Sequence, residues 1–490
     1  MNEQFLHYIW KFQYFDKTNL LTEEGKELKI ISVGIHNHDA GADFEDAVLK
    51  IIDTEKNSIR NNTEWQGTIE IDTYGFNWES HHHATNEAYE NVILHVVWKN
   101  PKEVYRKNGS KVPVLVLENR IDERLWLRYQ EFLRNENKIP CKGYWNENKE
   151  SINLIPSFEK MMSRTLDERL IRKSQHVLSL LERNSFDWEE TSYQILLEHF
   201  GFKKNNAPFL QLAKELPFKI IKKHSNQIHQ IEALFYGMAG FLMKENRDLE
   251  LGIRNNYEKQ SGGLEKDEEN EKLEQELIKE KQYFESLQKE FRFLSHKYSL
   301  QGKEVNLAQW KFLRLRPSNF PTVRIAQVIG LVAQQNHLFS VILNAKDLKE
   351  FYQFFKTELP IYWKTHYNFG KLNTKDKEGN IKQNSTLGKD AQQNLIINVV
   401  IPIRIAHSLY RQKEDNFPKK WLEELKAEKN SVINLYKPLE KLESENNQST
   451  TFKIKTAAQS QSLLELYSQY CNLKKCLSCE LGKEILKRED

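Results

Sequence analysis

The sequence predicts an α+β protein, with an N-terminal mixed-sheet α/β domain over residues 1–120 and a mainly α-helical domain over 121–490. Two observations carry this expectation. Up to about residue 120, short apolar runs rich in β-branched residues alternate with turn signals; beyond it, apolar residues recur at helical intervals. At 490 residues the chain is also long enough to bury more than one core.

The elements follow in order. Asn2 to Phe15 places Phe5, Ile9 and Phe12 at helical spacing and predicts a leading helix. Strands are expected at LKIISVG (28–34), DAVLKII (46–52), GTIEID (67–72), NVILHVVW (91–98) and VPVLVLE (112–118), and ATNEAYEN, before the fourth strand, reads as a short helix. Helix, three strands, helix and two strands make a mixed sheet flanked by helices. Further on, Met162, Leu166, Leu170, Val177 and Leu181 mark a helix after Pro156, and 230–242, 323–335 and 461–470 read as packed helices. Residues 256–285 combine a Gly-Gly break with mixed charge, which predicts a mobile segment near 258–270 leading into a solvated helix. A second loop is expected at 371–390, and no repeat of solenoid period is present.

Charge gives little guidance to function: 72 Lys+Arg against 69 Asp+Glu leave a net +3, so only a local concentration of positive charge would hold phosphate. No window approaches 18 consecutive apolar residues, and MNEQFLHYIW lacks the features of a signal peptide, so a cytoplasmic protein without membrane association is expected. Four cysteines in a chain of this size do not make a disulfide framework.

The chemistry-bearing residues of the first domain are acids and histidines. Asp43 follows the turn-permitting Gly41, just before the second strand. Glu70 and Asp72, two apart on the third, project from one face of the sheet. Such a pair either faces solvent from an edge strand or repels until a cation offsets it, as in divalent-metal sites built from oxygen ligands. SHHHA (80–84) then offers His81 and His83 as metal ligands, as an acid–base pair or as part of a polar loop. His95, within ILHVV, reads as a core or strand-face histidine.

An acid opening one strand and an E-x-acid pair on the next resemble the active-site arrangement of the PD-(D/E)XK nuclease-like superfamily, and the element order fits that restriction-endonuclease-like fold. The resemblance implies Mg²⁺ or Mn²⁺ at Asp43, Glu70 and Asp72, with Glu3 on the leading helix as a further acid. It also exposes a departure: Asp72 stands where the superfamily has its water-activating lysine, and the nearest substitute, Lys50, lies at the far end of the neighbouring strand. Over nearly the whole chain, GADFEDAVLKI, EWQGTIEID, NWESHHHATNEAYENVILHVVW, EALFYGMAGFL, LRLRPSNFPTVRIAQ, NVVIPIRIAH and YCNLKKCLSCELG resemble the bacterial family catalogued as domain of unknown function 2851. That family's pattern has histidine in the place of Asp72, a His-x-His matching His81 and His83, and glycine in the place of His82. It implies no activity.

Cys471-x4-Cys476-x2-Cys479, with Cys141 far upstream, has the composition of a zinc site or an iron–sulfur cluster, although buried cysteines also serve as core fillers. One distant cysteine and three C-terminal ones resemble the cluster-bearing nuclease-like exonucleases, in which the distant cysteine precedes the nuclease motifs. In KFLRLRPSNFPTVRIAQ, Arg314, Arg316 and Arg324 with Trp310, Phe312 and Phe320 suit phosphate contact and base stacking, or else helix capping and core packing. Three functions are therefore expected in order: metal-dependent nucleic-acid binding with phosphodiester hydrolysis; a non-catalytic nucleic-acid or ribonucleoprotein binding module on a degenerate nuclease-like core; and a metal-dependent hydrolase of small phosphoesters or amides. The sequence does not rank substrates or give an oligomeric state.

Overall fold

The computed structural model describes residues 1–37, 41–52, 62–145, 154–243, 266–374, 378, 380–384, 386–438 and 453–487, with the side chains of 62–63, 266–273 and 276 excepted. It is an α+β chain: an N-terminal mixed sheet is followed by a mainly helical region. By internal contacts it forms two compact units, residues 1–163 with 430–453 and 463–490, and residues 164–429 with 454–462. Strands of the main sheet end near residue 116, close to the expected change at 120; the compact units divide elsewhere, because α3 (Glu123–Arg134) and the C-terminal cysteine segment belong with the sheet.

In the first unit, α1 (Glu3–Phe12) is capped by Asn2, whose side chain accepts from the Phe5 N–H at 3.0 Å, and it buries Phe5, Leu6, Ile9 and Trp10. The strands are β1 (Glu27–Ser32), β2 (Ile35–His36), β3 (Phe44–Ile52), β4 (Asn62–Tyr74), β5 (Val92–Lys99) and β8 (Val114–Val116), with a small hairpin of β6 (Val104–Tyr105) and β7 (Lys111–Val112) between the last two. The sheet order is β1-β3-β4-β5-β8, with β2 also on β3. The β1–β3 and β3–β4 pairs are antiparallel, and β4–β5 and β5–β8 are parallel. Six consecutive residues of β5 are buried, the pattern of a parallel strand covered on both faces.

Two details shape the site. Between Phe44↔Ile69 and Ala47↔Gly67, β3 carries one more residue than β4; Asp46 takes φ 56° in this bulge, which bends the strand where Asp43 enters it. The crossover from β4 to β5 is not the single short helix expected over ATNEAYEN. It is α2 (Asn77–Ser80) followed by two 3₁₀ turns, His83–Thr85 and Glu87–Tyr89. His82, at φ 62°, breaks the chain into the left-handed region, and extended Asn86 caps the second turn by accepting from the Ala88 N–H.

The helical unit is organised around Pro321–Val332, every residue of which is buried. Ile228–Met238 packs on Lys266–Lys297; a Cβ on Gly237 would stand 2.1 Å from the Phe291 ring, so only glycine permits this approach. Of the segment expected to be mobile near 258–270, residues 258–265 lie outside the described residues and a helix begins at Lys266. Among the described residues no helix is long and apolar enough to cross a membrane.

Candidate functional site

β4 is an interior strand, flanked by β3 and β5, so Glu70 and Asp72 do not face solvent from an edge. Their exposures are 6% and 1%. Because β3 begins at Phe44, the Ile71 N–H finds its acceptor in the Asp43 side chain, Oδ2 at 2.8 Å, and this bond fixes Asp43 beside the β4 acids. The three carboxylates that the sequence singled out are thus brought together by strand pairing.

Histidines surround them from three directions. From α1, His7 Nε2 lies 3.2 Å from Asp43 Oδ2 and 3.8 Å from Glu3 Oε1. From the crossover, His83 Nε2 lies 3.0 Å from Glu70 Oε1, and His81 Nδ1 lies 3.5 Å from Asp72 Oδ1. From β5, the His95 Nε2–H donates to Asp72 Oδ2 at 3.0 Å. The left-handed His82 lets its neighbours turn inward, with the His81 and His83 rings 5.4 Å apart, while His82 itself stays exposed. His83 is held by Tyr89, stacked on it at 3.9 Å, and by the edge of Trp78.

Burial, then the fields of Asp43 and Asp72, push the Glu70 carboxyl up to about 9. Burial lowers His83, and the nearby acids do not reverse it. For His7 burial acts downward too, but the bond to Asp43 and the charges of Asp43 and Glu3 outweigh it and raise the pKa. Glu70 Oε2 and His83 Nδ1 are buried without a partner among the described residues, and no lysine or arginine there pairs with Asp43, Glu70 or Asp72. Lys50 stands opposite Glu64 at the far end of β3, roughly 20 Å of strand from Asp43, and takes no part in the site. Two sets of ligand atoms lie within 4.8 Å of one another: Asp72, His81 and His83, and Glu3, His7 and Asp43. Both combine carboxylate oxygen with imidazole nitrogen, a donor set that suits Mn²⁺ better than Mg²⁺. Sequence reasoning did not find His7 or the role of His95; His7 stands one helical turn from Glu3, a spacing that could have drawn attention to it.

The basic motif divides. Arg314 and Arg316 are exposed on a loop, whereas Arg324 is buried in the first turn of its helix. Its guanidinium lies 4.4 Å over Phe202 and donates to Gln327 and Asn319, its Nε has no partner among the described residues, and burial lowers its pKa to about 10. It lines a pocket of about 470 Å³ with Lys203 and Lys204. Trp310 is core, its indole N–H donating to the Ala239 carbonyl, and Phe312 packs edge-on against Phe320. Two aromatic residues expected to stack bases therefore pack on each other, and the third is buried.

The four cysteines converge in the first unit. Cys141 lies in the turn Pro140–Tyr144, Cys471 ends the turn Tyr467–Cys471, Cys476 opens the turn Cys476–Ser478, and Cys479 precedes the helix Glu480–Leu486. All four are free.

A family model described as "Protein of unknown function (DUF2851)" matches residues 3–431. The chain belongs to that family. The DUF2851 match contains the whole acid–histidine cluster and the basic motif, but ends before Cys471, Cys476 and Cys479. No curated protein and no solved structure matches the chain.

Proposed function

We propose that this DUF2851 protein binds nucleic acid and hydrolyses its phosphodiester bonds at a divalent-metal centre in the N-terminal unit. The observation that carries the reading is Glu70: a buried carboxylate beside Asp43 and Asp72 which, among the described residues, has one oxygen unpartnered and no lysine or arginine to offset the charge. A divalent cation at this position would offset two of the three negative charges. The two ligand sets and their shared neighbour Glu70 suit the two-ion arrangement used for in-line displacement at phosphorus.

Bound divalent ions supply an activated water and stabilise charge on the phosphoryl oxygens. The protein's own groups then have defined work. Asp43, Glu3 and His7 would hold one ion, and Asp72 with the His81–His83 pair would hold the other. Tyr89 keeps the His83 ring in place, and half-exposed His81 stands where a proton can pass to solvent. The missing lysine of the nuclease-like pattern is a role left to His81 or to the second ion. In the helical unit, Arg324 lines its pocket together with Lys203 and Lys204, a set of cations suited to phosphate oxygens.

The experiment is cleavage of labelled single- and double-stranded oligonucleotides with Mn²⁺, with Mg²⁺ or with chelator, by the wild type and by Asp43→Ala/Glu70→Ala. Metal-dependent cleavage lost in the double variant supports the reading; equal turnover in that variant overturns it. The second reading, a non-catalytic binding module, draws on the same geometry, because each central carboxylate already faces an imidazole. Salt-dependent oligonucleotide binding without cleavage under either metal selects it. Turnover of a model phosphoester without affinity for polynucleotide selects a small-molecule hydrolase.

A further inference from the structure

The thiols form a second cluster that the acid–histidine reading does not use. They come from two stretches more than 300 residues apart, and they are the only cysteines in the chain. Cys141, Cys476 and Cys479 are 6–7% exposed and Cys471 is half-buried. Cys141 lies within electrostatic reach of all three others, and Cys476 within reach of both Cys471 and Cys479. Scattered core fillers would meet apolar side chains, not one another.

Polar groups able to donate lie against two of the sulfurs. The Tyr436 hydroxyl lies 3.3 Å from Cys471 Sγ, and the backbone N–H groups of Leu481 and Gly482 are directed at Cys479. A neutral thiol is a poor acceptor, whereas a metal-bound thiolate is a good one, and hydrogen bonds to sulfur are the usual surroundings of a thiolate-ligated centre. The backbone is shaped to allow this: a Cβ on Gly482 would stand 2.3 Å from the Cys476 carbonyl oxygen, so any other residue would push the two turns apart. Trp145 and Phe158 pack their rings near Tyr436.

The spacing discriminates between metals. A tetrahedral zinc ion with Zn–S bonds of about 2.3 Å draws its sulfurs to about 3.8 Å from one another. Among the described residues the only ligand triplets within 4.8 Å are the two acid–histidine sets; no three of these thiols approach that closely. The quartet is wider than one zinc ion requires, and suits a polynuclear centre in which each cysteine takes its own iron.

We infer that Cys141, Cys471, Cys476 and Cys479 ligate an iron–sulfur cluster that ties the C-terminal segment to the sheet-bearing unit. On loading, four thiol protons leave and four bonds form from cysteine sulfur to iron, with ferrous and ferric iron in equal amounts and inorganic sulfide as co-reactants, so that no net oxidation is needed. The inference is independent of hydrolysis at the acid–histidine site, and of the family match, which ends at 431.

The test is purification of the full chain without air and without a histidine tag, followed by iron, zinc and acid-labile sulfide analysis and a visible spectrum. Iron and sulfide in equal amounts, about four of each per chain, are expected, and both should be lost in Cys476→Ser and in Cys141→Ser. One zinc per chain without sulfide overturns the inference. So does a metal-free protein whose four thiols react with a thiol reagent and which takes up no cluster when iron and sulfide are supplied anaerobically. Because the serine variants could misfold, the wild-type stoichiometry and the reconstitution decide by themselves.

Discussion

Glu70 in the sheet-bearing unit and Glu232 in the helical unit are both buried carboxylates, 6% and 5% exposed, and both are held above the usual carboxylate range. Their surroundings differ in kind. Glu232 sits in an apolar bed, where burial raises it to about 7, and it accepts a hydrogen bond from the Tyr283 hydroxyl at 2.6 Å. Its neighbour in the same unit, Glu280, accepts from Tyr362 at 2.6 Å. Glu70 has burial and two further acids against it, with one oxygen unpartnered. A lone buried acid is satisfied by a proton and a hydroxyl donor. Three acids together need positive charge, and among the described residues only histidine is there to supply it.

The contrast is broken or sharpened by four measurements. The largest effect is expected from Asp43→Ala/Glu70→Ala: metal-dependent cleavage should fall more than about 100-fold, with the far-UV circular dichroism and the cooperative melt retained. Next, Glu232→Gln should change the pH dependence of stability. The folded pKa of Glu232 lies above its unfolded value, so its contribution is complete below about 4.5 and is lost as pH rises through about 7. Between pH 5 and pH 8 the wild type should therefore lose about 2.5 kcal/mol that the glutamine variant keeps. Urea denaturation at the two pH values reads this difference, and parallel curves for the two proteins would remove the contrast between the sites.

A smaller effect is expected from His81→Ala. Its side chain is 47% exposed, so the melt should not move, while Mn²⁺ affinity measured by calorimetry should weaken about tenfold. Unchanged affinity would take His81 out of the ligand set. The smallest effect is expected at Lys50. Since it lies far along β3 from the acids, Lys50→Met should leave turnover within about twofold; a larger loss would restore it as the displaced lysine of the nuclease-like pattern.

Much of the first unit was legible because its signals are local. Five of the strands, the leading helix and the placing of Glu70 and Asp72 on one face follow from periodicities of two and about four residues. The crossover was misread because its decisive feature is a single left-handed residue, His82, a conformation that composition does not announce for histidine. The short hairpin of two-residue strands lacked enough residues to show a period. At the basic motif the residue types were read from the sequence, but not that Arg324 turns inward while Arg314 and Arg316 stay in solvent.

By itself, the sequence determined the residue kinds available for chemistry, the strand bearing two acids, the family and that an acid, Asp72, stands two residues after Glu70 where a lysine would complete the nuclease-like pattern. Tertiary structure alone decided which groups meet. His7 from a helix and His95 from a neighbouring strand join the acids because strand pairing and helix packing bring them there, and Cys141 reaches Cys471 across most of the chain. The physical reason is range: side-chain periodicity is set within a turn or a pleat, whereas a shared site is set by which faces the folded chain buries together.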